Sequence, residues 1–394
     1  MNSDDASLIH TVATLSIDSS PDFATIFESF SLLNSESSNS DILKAIVTVR
    51  HILASEDSTH LETNISICIN LGLIPKLIDY LKTWVLTNIA CSSEPDHIQA
   101  LIDSGILAAL ASCMVHSTDA NVKDQCCWGL GNIAGEDAQC AGLFLESDYI
   151  KAIAFTVNCF IEVGDWEALS NAVWTVMNIF RWKLFDDLEV YIPVVSACHN
   201  ILPLLDSLLR NDYISLVESF LWIFAFLAEQ FETVYDLFIT KEMAFCFATL
   251  IHHSNNTISY VAFRFLGNLF TGWCPFVVEI LDKLGLVRSL FSMLENSTNI
   301  FHKKEVLWFF NNVISDSQES LQFCFDKDII PVVIKYLTHG EHSLFMESGF
   351  CILNTINDCS YEQLIFWLKK VCLLLLFKGC QDLIKELLVI LSVF

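Results

Sequence analysis

Positive charge is what this sequence has least of. Against 47 Asp and Glu it carries 21 Lys and Arg, a formal net charge of −26, and such a field repels nucleic acid phosphates and anionic head groups while drawing in cationic ligands. Direct nucleic acid binding is not expected. A run of membrane-spanning length is also missing, although 53% of the residues are hydrophobic and the mean hydropathy is +0.48. The longest stretch free of Asp, Glu, Lys and Arg, 243–263, is interrupted by His252-His253-Ser254-Asn255-Asn256-Thr257, and 190–205 carries two prolines and His199. Neither is the apolar segment of about 20 residues that a span requires, so no membrane insertion is expected and the hydrophobicity reads as helices packed on two sides in a stack. Met1-Asn2-Ser3-Asp4-Asp5 has neither the basic nor the apolar region of a signal peptide. The 15 cysteines include no C-x-x-C pair and read as buried, reduced thiols acting as small hydrophobes, in cytoplasm or nucleus. With no Gly-rich phosphate loop, no metal-spaced His/Cys set and no nucleophile motif, neither enzymatic activity nor a cofactor is expected.

What is present is a repeat. The stretch Trp128-Gly129-Leu130-Gly131-Asn132-Ile133-Ala134-Gly135-Glu136 puts an indole and a carboxamide four residues apart on one helix face. Gly135 is expected to take the left-handed conformation that ends the helix. The pair recurs as Trp84…Asn88, Trp174…Asn178 and Trp308…Asn312, and in altered form as Trp222…Phe226, Arg264…Asn268 and Phe350…Asn354. Successive first members stand 44, 46, 48, 42, 44 and 42 positions apart. In an all-α pattern this period means a right-handed armadillo-repeat superhelical solenoid, whose three-helix units bury their apolar faces only by stacking.

Residues 1–40 read as an acidic, polar N-terminal segment, partly disordered, with some helix late in it. Residues 41–394 read as the solenoid, with about eight to nine repeats. Turns at Gly72, Gly105, Gly285 and Asp328 each precede the second helix of a unit. Gly105 to Trp128 and Gly285 to Trp308 both span 23 residues, but Gly72 to Trp84 spans 12. The first complete ladder repeat is therefore shortened near 80–84 by about three helical turns, and 74–90 is expected to run as one helix. The apolar end, 387–394, lacks the polar cap of a terminal repeat.

Indoles at one phase of successive units form shelves between which the methylenes of a Lys or Arg can lie, its charge against the π faces. The Asn amide can hold the backbone of an extended peptide, and carboxylates nearby select cationic termini. The competing assignment makes the indoles core and the Asn residues helix caps; six Asn at one repeat phase weigh against it.

These residues carry a resemblance. Trp84…Asn88, Gln125…Trp128 through Glu136, Asn171…Trp174…Asn178…Arg181, Arg264…Asn268…Thr271-Gly272 and Lys304-Glu305…Trp308…Asn312 resemble the armadillo core of importin-α over about 41–360. The resemblance implies a nuclear import adaptor that binds Lys/Arg-rich nuclear localisation signals of cargo proteins, present in cytoplasm and nucleus. Its major site would be Trp84, Asn88, Gln125, Trp128, Asn132, Glu136, Asn171, Trp174 and Asn178, with Glu136 where the family has its key aspartate. Its minor site would be Arg264, Asn268, Trp308, Asn312, Glu347 and Asn354. Phe350 departs from an expected Trp, Trp273 and Cys274 from expected acids, and His97 from a Thr of the lysine pocket. Importin-α proteins begin with a basic segment that binds importin-β and folds back on the groove, whereas residues 1–70 here hold only Lys44 and Arg50 as basic residues. The expectation is a chain that is not autoinhibited and reaches an importin-β-type carrier by a non-standard route, or uses none. An armadillo scaffold of the catenin type is the alternative; it calls for a basic groove, contrary to the charge.

Overall fold

In the computed structural model, the described residues are 22–33, 37, 39–54, 60–74, 83–92, 94–145, 147–184, 188–229, 238–271, 276–339, 341–360 and 363. They are helical, without β-strands among them. The expectations placed on 1–21, on the junction 75–82, on Trp273 and Cys274, and on the C-terminal run 387–394 lie outside the described residues. The chain divides into two compact units, Met1–Ile223 and Phe224–Phe394.

Within each unit a three-helix grammar repeats. In the first unit a short first helix, Pro95–Asp103, turns through Gly105 into a second, Ile106–His116, and a third and longest, Ala120–Glu136, follows. The first two are bent by 64°. Gly105 sits at φ +81, and Gly72 and Gly285 do the same work at φ +70 and +60. In the last described repeat Asp328 takes the conformation at φ 57, as a short polar side chain can. The third helices start on a recurring cap: the side chains of Asp119, Asp165, Asn255 and Asn299 each accept a backbone N–H from the first turn. Such a cap stabilises a helix by about 1 kcal/mol and fixes the phase at which the ladder residues, further along the same helix, emerge.

Stacking is by like helices. In the first unit the third helices Thr83–Ala90, Ala120–Glu136 and Trp166–Arg181 pack in sequence, as the second helices Ile106–His116 and Ser147–Val163 do. In the second unit Asn256–Leu269, Ile300–Asp316 and His342–Asp358 form the corresponding row. Packing also begins before residue 41, because Phe23–Leu32 lies against Asn39–Leu53 with Ile26 fully buried. The second unit's core is aromatic: the ring of Phe309 lies 5.0 Å from Phe263 and 5.2 Å from Phe270 between centroids.

One stretch, Glu189–Arg210, is long and apolar enough to cross a membrane by length and composition. It is built of the helices Ile192–His199 and Leu205–Arg210 joined by the 3-10 turn Leu202–Leu204, with Tyr191, Val194, Val195 and Cys198 buried inside the unit. It serves there as the outer pair of a repeat. Burial also governs the thiols. The Cys68 and Cys198 thiols are pushed up to about 12 by desolvation, and Cys126, Cys127 and Cys324 are raised for the same reason. Such thiols stay protonated and inert.

Candidate peptide-binding ladder

In the first unit the ladder residues lie on three packed third helices. Trp84 and Asn88 are on Thr83–Ala90; Asn88 is half-buried, and the side chain of Trp84 lies outside the described residues. Trp128 is 37% exposed, the most open ladder indole among the described residues. One turn on, Asn132 is half-buried and donates its amide to the Cys91 sulfur at 3.0 Å. Glu136 ends the helix, half-exposed and without an ion pair among the described residues. On the next third helix Asn171 donates to Asp124 Oδ1 at 2.7 Å, and Gln125 donates to the other oxygen of that carboxylate at 3.3 Å. Two named site residues thus converge on an acid that the sequence reading passed over. Asp124 lies one turn before Trp128, the i−4 spacing that was the available signal.

Trp174 packs closely against Gly131 of the preceding repeat. A β-carbon built at Gly131 would stand 2.4 Å from Cζ3 of that indole, so glycine is required for the close approach. Asn178, 3% exposed, donates its amide to the Gly131 carbonyl at 3.0 Å. The second unit repeats the arrangement. Trp308 lies over Gly267, where a β-carbon would be 2.3 Å from the ring, and Asn312 donates to the Gly267 carbonyl at 2.9 Å. Asn268 donates to the Ala225 carbonyl and to Glu229, at 2.9 and 3.0 Å. Asn354 donates to the Asn311 side chain and to Ser315. Asn178, Asn268, Asn312 and Asn354 all reach back to the residue three positions beyond the previous repeat's ladder site.

These contacts revise the role expected of the amides. They stitch one repeat to the previous one, and with Asn178, Asn268 and Asn312 exposed by 3%, 4% and 7% they offer a ligand little beyond Oδ1. Gly135 is corrected as well. It is not among the glycines with positive φ, and the helix runs through it to Glu136. The space it leaves is filled by Asn178, whose amide nitrogen would lie 3.2 Å from a β-carbon there. In the second unit the Trp308 ring is already covered by the Arg264 guanidinium at 4.1 Å, and Arg264 pairs with Glu305 at 3.3 Å. Glu347 pairs with Lys304 at 3.5 Å. The open, acid-flanked surface therefore lies around Trp128, while the Arg264–Trp308 pair is self-satisfied.

His97, 7% exposed, sits in a closed polar cluster. The Ser92 hydroxyl donates to Glu62 at 2.6 Å, so its oxygen accepts from His97 Nδ1 at 2.7 Å and from the Glu94 N–H at 3.1 Å. That tautomer leaves Nε2 to accept from the Ser66 hydroxyl at 2.8 Å. The cluster ties Leu61–Asn70 to Pro95–Asp103, the first helices of adjacent repeats. Ser92→Ala strips three groups of one partner and is expected to cost about 1–3 kcal/mol. Urea denaturation would measure it, and a cost near zero would mean that water replaces the hydroxyl.

Stacked three-helix repeats with third helices forming the inner row define an armadillo-repeat protein, and residues 94–135 match the armadillo/β-catenin-like repeat family. An engineered protein of known structure superposes with a TM-score of 0.63 at 17% identity, over 98% of this chain and 95% of its own. Among curated relatives, importin subunit alpha-1b of Oryza sativa subsp. japonica is 26% identical over 277 residues, 68% of this chain and 49% of its own length. The probable importin subunit alpha-A of Dictyostelium discoideum is 25% identical over 255 residues, 58% and 44% respectively. Importin subunit alpha-1a of Oryza sativa subsp. japonica is 24% identical over 310 residues, 76% and 56%. The chain spans about half the length of the curated relatives it matches. The chain has the armadillo-repeat fold and is similar, at 24–26% identity, to importin-α subunits.

Proposed function

We propose that the chain is a nuclear import adaptor that binds Lys/Arg-rich nuclear localisation signals in extended form, moving between cytoplasm and nucleus. The observation that carries this reading is the open indole of Trp128 with half-buried Asn132 and the Glu136 carboxylate on one helix, and the Asp124 carboxylate one turn before it. A lysine laid across that indole finds a π face for its stem, and the Asp124 and Glu136 carboxylates, about 18 Å apart at the rise of an α-helix, flank it on either side for successive cationic side chains of an extended segment. Trp84, Asn88, Gln125, Asn171, Trp174 and Asn178 extend the same site, the Asn residues chiefly by holding the indoles in register. Arg264, Asn268, Trp308, Asn312, Glu347 and Asn354 form a second, weaker site, where a cationic guest must displace Arg264 from Trp308 or Lys304 from Glu347. The −26 net charge supports a basic partner. With the relatives named importin subunits, it also supports cargo signals as that partner.

Titration with a lysine-rich monopartite peptide, followed by Trp fluorescence, tests this. Saturable binding that weakens with salt is expected. Trp128→Ala with Asn132→Ala should weaken it by about thirtyfold or more, the loss of a central aromatic anchor of at least about 2 kcal/mol. Arg264→Ala, which uncovers Trp308, should not weaken it. An intact chain that ignores the peptide would sink the reading.

A further inference from the structure

We propose that the Phe224–Phe394 unit carries a second recognition site, of opposite charge preference, for an acidic peptide segment with interspersed apolar side chains. A cleft of about 730 Å³ opens between the helices Val277–Lys283 and Leu286–Asn296 and the end of Gln318–Asp326. It lies mainly on the first and second helices of one repeat, and no ladder residue lines it. In a chain of net charge −26, its walls gather Lys283, Arg288 and Lys327 against the single carboxylate of Asp282. Lys327 spends its charge on Asp282 at 2.5 Å and Lys283 on Glu279 at 2.6 Å. Arg288 is exposed and has no ion pair among the described residues, which leaves a planar donor fork suited to a carboxylate at the edge of the cleft.

Apolar surface supplies the rest. Phe291 and Phe323 line the cleft, and the Lys327 ammonium stands 5.3 Å above the Phe323 ring. A bare phosphate would leave most of this volume empty, and a long polyanion would run beyond the local cations into the repulsion of the whole chain, whereas a short segment with few charges stays within a Debye length of them. A short segment in which Asp or Glu alternates with Leu or Phe satisfies both the cations and the rings. This site is independent of the basic-peptide row, so one chain would hold partners of opposite charge on different helices.

The test is fluorescence anisotropy of a labelled peptide of alternating Asp/Glu and Leu/Phe with the full chain at low salt. Saturable binding is expected, reduced about tenfold or more by Arg288→Glu and by Lys327→Glu, since charge reversal in a complementary site replaces attraction by repulsion. Circular dichroism serves as the folding control, and binding of the lysine-rich peptide should be untouched by Arg288→Glu. The proposal is overturned if the intact chain does not bind, or if Arg288→Glu binds as well as the original. It is also overturned if an Asp/Glu peptide without apolar residues, or inorganic pyrophosphate, competes as effectively as the unlabelled peptide.

Discussion

Gly131→Ala is expected to reduce affinity for a lysine-rich peptide by about tenfold or more and to lower stability by about 1–3 kcal/mol, the usual cost of overpacking. The added methyl would stand 2.4 and 2.7 Å from two carbons of the Trp174 indole and 2.8 Å from Thr175 Oγ1. Thr175 cannot yield, because it is fully buried and its one hydroxyl proton is shared between the Cys127 and Asn171 carbonyls, at 2.6 and 2.8 Å. The half-buried indole has to shift instead, and the shelf it offers a ligand goes with it. Gly267→Ala should act on Trp308 in the same way. Gly349 provides the opposite sign. It is helical with nothing within 4 Å of a built β-carbon, so Gly349→Ala should stabilise by about 0.4–1 kcal/mol through the unfolded chain. Urea denaturation and the peptide titration read both arms. A Gly131→Ala protein with unchanged stability and affinity would mean that Trp174 does not pack across this helix.

Phe309→Ala should have the largest effect on folding, about 3–5 kcal/mol. The ring is fully buried, with Phe263, Phe270 and Phe310 at 5.0, 5.2 and 6.3 Å. Those neighbours come from two successive third helices, so their backbones cannot close the void without parting from the repeat behind them. In a repeat array stability is a sum of local and nearest-neighbour contributions, and the damage should therefore stay local. Hydrogen exchange should show the amides of Asn256–Leu269 and Ile300–Asp316 losing protection before those of Ala120–Glu136. Uniform loss along the chain would contradict a nearest-neighbour stack.

The period and the turns were legible in the sequence because each is a local necessity, as Gly105 and Gly285 are for positive φ; the caps Asp119 and Asn299 were not singled out there. What could not be read was the far end of each contact. The partner of Asn178 is a backbone carbonyl, and a carbonyl leaves no mark on residue identity. The partner of His97 is reached through Ser92 from Glu62, in another repeat. Gly135 was misjudged for the same reason: its lack of a side chain answers to Asn178 on the next third helix, not to its own helix end. The Arg264 and Trp308 positions were visible, but their union depends on a 4.1 Å stacking that spacing alone does not disclose.

The backward reach of the Asn side chains bears on how such a chain can change length. A residue inserted into the middle of a third helix rotates everything after it by about 100°, so the amide would face away from its carbonyl and leave both in apolar surroundings. Gain or loss of an entire unit keeps every amide one repeat from a carbonyl of the same kind. Growth and shrinkage by whole modules are thus the tolerated edits, while single-residue slips inside the inner row are selected against.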